Sequence, residues 1–122
     1  MATLKLLQSP SPAANGDRMF VSVTPEANYV QGTPDVINLS AIEDPQIIGQ
    51  IPLNNPPTVT PGIFCQNIGG YKAEMVKGAT LATYGMKFYD SGGNELASGA
   101  MPASIANGEI VLEIVVPTTQ QD

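Results

Sequence analysis

Twelve glycines and eleven prolines lie scattered along 122 residues, and they limit what this chain can fold into more than any other feature. Proline locks φ and lacks an amide donor, and glycine disfavours regular structure by its extra backbone freedom, so both punctuate a helix wherever they fall. The stretches between them are short, which suits short strands better than long helices. The expectation is an all-β fold: a small antiparallel β-sandwich or barrel of about seven or eight short strands, with an extended N-terminal arm and at most one short helical turn.

Individual segments give the strands. Between Arg18 and Thr24, Met19, Val21 and Val23 share one face and Phe20, Ser22 and Thr24 the other. Glu109 to Val116 alternates in the same way, with Ile110, Leu112, Ile114 and Val116 on one side. That two-residue period predicts half-buried strands. Further strands are expected at Asp35–Leu39, at Ile47–Leu53 with a bulge or edge at Gly49 and Pro52, at Ile63–Ile68, at Tyr71–Val76, and around Met86 and Phe88. Gly69-Gly70 predicts a hairpin between two of these, Asp90–Asn94 a turn with Glu95–Ser98 returning, and Asn107-Gly108 another tight turn. Ser40 and Glu43 have capping-box spacing, and Pro45 restricts any helix there to a single turn.

Three regions are expected: an extended N-terminal arm over residues 1–17, a β-domain over 18–117 and a polar tail over 118–122. Within the arm, residues 1–8 can form a strand through Thr3, Leu4, Leu6 and Leu7, and they precede a Ser/Pro/Ala-rich stretch, residues 9–17, that contains Pro10 and Pro12, lacks apolar periodicity and reads as a linker. Such a segment can add main-chain hydrogen bonds to a neighbour's sheet edge. The arm is therefore expected to order on docking, and its deletion to leave the β-domain folded. Proline also pre-orders loops and lowers the entropic cost of docking them, which marks Pro56 and Pro57 as contact candidates. Tyr29, in the loop from Glu26 to Pro34, is expected both to anchor that loop and to reach a subunit contact.

Eleven acidic against five basic residues give a net charge of −6, with no histidine. Missing histidine removes the usual general base near neutral pH, along with Ser/His/Asp and Cys/His catalysis. A carboxylate pair for glycoside hydrolysis stays open only because scattered acids always supply some pair. No enzyme is expected, and no cofactor. Five dispersed cations suit nucleic-acid backbones poorly, and the longest apolar run, Ile110–Val116, is interrupted by Glu113 and is too short to span a bilayer. Neither nucleic acid nor membrane is therefore expected as a partner, and no export signal is visible after Lys5. Asp90, Asn94 and Glu95 superficially resemble a cation loop, but a turn in which Asp and Asn bond the local backbone accounts for them better. Cys65 beside Phe64 is expected to be a small buried hydrophobe. Tyr29, Tyr71, Tyr84 and Tyr89 are expected to pack in the core and at its rim rather than form a sugar platform, and Asn38-Leu39-Ser40 is discounted as a glycosylation site.

The stretch from Val76 to Asp90, VKGATLATYGMKFYD, continuing through Gly92-Gly93-Asn94-Glu95-Leu96-Ala97-Ser98-Gly99, resembles small virion proteins of tailed bacteriophages. These include the cement or decoration proteins of the head. The Pro-rich arm and the acidic balance resemble that group as well. The resemblance implies a non-enzymatic protein on the outer surface of the capsid, present in many copies, that bridges neighbouring major capsid subunits and stabilises the shell. It implies self-association, as a homotrimer in the first place and a dimer in the second. A phage tail or fibre component and a β-sandwich carbohydrate-binding module are the alternatives.

Overall fold

The computed structural model describes residues 2–13, 16–39, 41–44, 49–51 and 61–116, with backbone alone for 8–13, 16–18, 44, 49–51 and 116. The all-β expectation holds. Eleven strands and one short helix occur among these residues. In chain order the strands are β1 (Thr3–Ala13), β2 (Gly16–Thr24), β3 (Asn28–Tyr29), β4 (Asp35–Ile37), β5 (Ile42–Asp44), β6 (Gly49–Ile51), β7 (Gly62–Asn67), β8 (Lys72–Val76), β9 (Tyr84–Tyr89), β10 (Gly99–Ala100) and β11 (Glu109–Val116). The helix α1 (Ala103–Ala106) precedes β11.

One sheet runs β6-β5-β1-β2-β11-β7, a second β4-β9-β8, and a two-stranded ribbon pairs β10 with β3. All pairings are antiparallel except β1 with β5. One hydrophobic cluster joins the sheets in a sandwich-like arrangement: Leu4, Met19, Val21, Ile110, Leu112 and Ile114 come from the large sheet, and Ile37, Met86 and Phe88 from the smaller one. The period-2 reading of β2, β9 and β11 is thereby realised in the packing. Each fully buried aliphatic or aromatic side chain of this set contributes roughly 1.5–3 kcal/mol by leaving water.

At the N-terminus the strand expected within residues 1–8 is present, but it runs on to Ala13 through the expected linker. Residues 3–13 are no free arm. They form β1, hydrogen-bonded to β2 on one side and to β5 on the other. Leu4 is 1 % exposed and Leu6 is likewise buried, so burial in the chain's own core outcompetes a docking role for these two side chains. The remaining expected regions have different outcomes. β2 begins at Gly16, ahead of the expected domain start, whereas the tail over 118–122 lies outside the described residues.

At three other places tertiary pairing or an adjoining element changes what the local signal builds. Residues 42–44, expected to follow a helix cap, form β5, because Ile42 is buried when it pairs alongside Leu4. Gly69, at φ 70°, does make a turn, with Tyr71 N–H donating to Ile68 O at 3.4 Å. Its two arms separate nonetheless: β7 joins β11 and β8 joins β9, and the Gln66 side chain accepts the Ala73 amide at 3.0 Å. The expected tight turn at Asn107-Gly108 is present and closes α1, with Asn107 N–H donating to Ala103 O at 2.9 Å and Gly108 N–H to Ile105 O at 3.2 Å. Glycine is required at 108 because a Cβ there would strike the backbone oxygens of Ser104 and Asn67.

Candidate functional site

The inner face of the six-stranded sheet is consumed by the core, so the outer face is what the domain can offer. Strand register sets its rows. Lys5 lies opposite Ser22, Ser22 opposite Val111, and Val111 opposite Cys65, one residue from each of β1, β2, β11 and β7. Beside this row, Leu7, Phe20, Phe64, Cys65 and Val111 line a shallow apolar groove. Phe20 and Phe64 meet edge to face, with ring centroids 4.8 Å apart. Leu7 is 58 % exposed and Phe64 62 % exposed.

Two β-bulges build this groove. On β1, Leu6 pairs with Val21 and Gln8 with Phe20, which leaves Leu7 as an extra residue. On β7, Cys65 pairs with Val111 and Ile63 with Leu112, which leaves Phe64 extra. A bulge interrupts strict alternation and re-aims a side chain. Hence Phe64 and Cys65, adjacent in sequence, both line the outer groove. Cys65 is accordingly exposed, not buried as expected, and its Sγ lies 3.9 Å from Glu109 Oε1. At either end of the groove a bulge thus presents a large apolar side chain to water on a chain of net charge −6.

The other expected contact residues fall elsewhere. Leu4 and Leu6 belong to the core, while Leu7 alone of the three leucines reaches the groove. Pro10 and Pro12 lie on β1, and only their backbone is described. Pro56 and Pro57 lie outside the described residues. Tyr29 is 2 % exposed and makes no surface contact. Its hydroxyl donates to Glu95 Oε2 at 2.7 Å and accepts the Phe88 amide at 3.4 Å, and its ring packs edge to face on Phe88. Burial first, and the Glu95 carboxylate second, push its pKa up to about 12. Glu95 also accepts the Gly32 amide at 2.8 Å, and these two donors, Gly32 before Tyr29, hold its carboxyl below the usual range. Tyr29 therefore anchors its loop, as expected, but does so inward.

The Asp90 turn is a backbone-bonded one, with the amides of Gly92 and Asn94 donating to Asp90 Oδ1 at 2.9 and 3.0 Å. Tyr84 is buried, and Tyr71 and Tyr89 are half-buried, so the tyrosines share no exposed platform. Among the described residues no three His, Cys, Asp or Glu side chains gather as a metal site, and no helix is long and apolar enough to cross a membrane. The groove lining is apolar apart from the Cys65 thiol and so offers contact by apposition and shape. No family model matches the chain, and neither a curated protein nor a solved structure matches it significantly.

Proposed function

We propose that the protein is a non-enzymatic cement or decoration protein of a tailed-phage head. In this reading it sits on the outer surface of the capsid, binds the major capsid protein, and bridges neighbouring shell subunits through self-associated copies. The observation that carries the reading is the groove formed by Leu7, Phe20, Phe64 and Val111: an apolar strip exposed on a rigid sheet serves surface-to-surface contact rather than turnover of a substrate. Many copies joined in one oligomer would turn modest contacts into firm attachment through avidity.

The test is the composition of gradient-purified particles from the source culture. The expected result is comigration of this chain at a copy number comparable to that of the major shell protein. A few copies per particle would move the assignment to tail or fibre, and recovery only in the soluble fraction would overturn it.

A further inference from the structure

We draw no further inference here: the strongest candidate, the apolar groove on the outer face of the six-stranded sheet lined by Leu7, Phe20, Phe64, Cys65 and Val111, belongs to the contact surface already described, and nothing in the structure shows what covers it.

Discussion

Asp35 is a charged residue in a place that selects against charge. It sits at the start of β4 with 6 % of its surface exposed, and its Oδ2 accepts the Glu26 amide at 2.9 Å. Burial pushes its carboxyl above the ordinary aspartate range, the Glu26 amide partly offsets this, and the Glu26 carboxyl adds to the rise. A folded-state value above the unfolded one means that the native state holds the proton more tightly. The associated stability is fully present below the unfolded value and disappears as pH climbs through the folded one. Asp35→Asn keeps an acceptor for the Glu26 amide while removing the titration. The expected outcome is a variant whose melting temperature, relative to the parent, rises as pH increases from acid through the elevated value. Paired melts across that window check it, and parallel curves would show that Asp35 titrates as in the unfolded chain.

Among the elements, β1 carries the largest revision of the sequence reading, and the revision can be tested directly. It lies inside the six-stranded sheet, and removing it would strip β2 and β5 of a partner each. Deleting residues 2–7 is therefore expected to abolish cooperative unfolding, while Leu4→Ala should cost about 2–5 kcal/mol, the usual range for emptying a well-packed leucine site. Urea melts followed by circular dichroism measure both, and a folded deletion variant would restore the picture of a dispensable arm. The regular strands were legible because nothing disturbs their period: Met19, Val21 and Val23 of β2, like Ile110, Leu112 and Ile114 of β11, turn inward without exception. The groove was not legible, because it depends on two bulges, and an extra residue shifts every face assignment beyond it. Reading Cys65 as buried followed from its apolar neighbour Phe64, and the bulge turns both of them to the outer groove. The first residues of β1 were legible as a strand but not as a core strand: the prolines at 10 and 12 suggest a linker, yet the leucines ahead of them find partners some twenty and forty residues away. The inward role of Tyr29 rests on Glu95, 66 residues on, which no local pattern announces.

Across the whole molecule, the order of strands ties the chain's two ends together. β2 is flanked by β1, its neighbour in sequence, and by β11, the last strand, so the large sheet is incomplete until both ends have been placed. The smaller sheet β4-β9-β8 has no separate core, since Ile37, Met86 and Phe88 pack in the same cluster as Leu4, Val21 and Leu112. Distant pairings must be closed before they contribute, which slows folding, and a shared core leaves no half of the sandwich able to stand alone. One cooperative unit follows. Native-state amide exchange followed by mass spectrometry should therefore place the central amides of β2, β9 and β11 in a single slow class with one opening free energy, equal to that of global unfolding. The Val30–Thr33 turn, exposed and closed by the Thr33 amide on Val30 O at 3.0 Å, should open well below that level. Two slow classes, with β9 exchanging ahead of β2 and β11, would mean that the smaller sheet detaches on its own and that the common cluster does not couple the two layers.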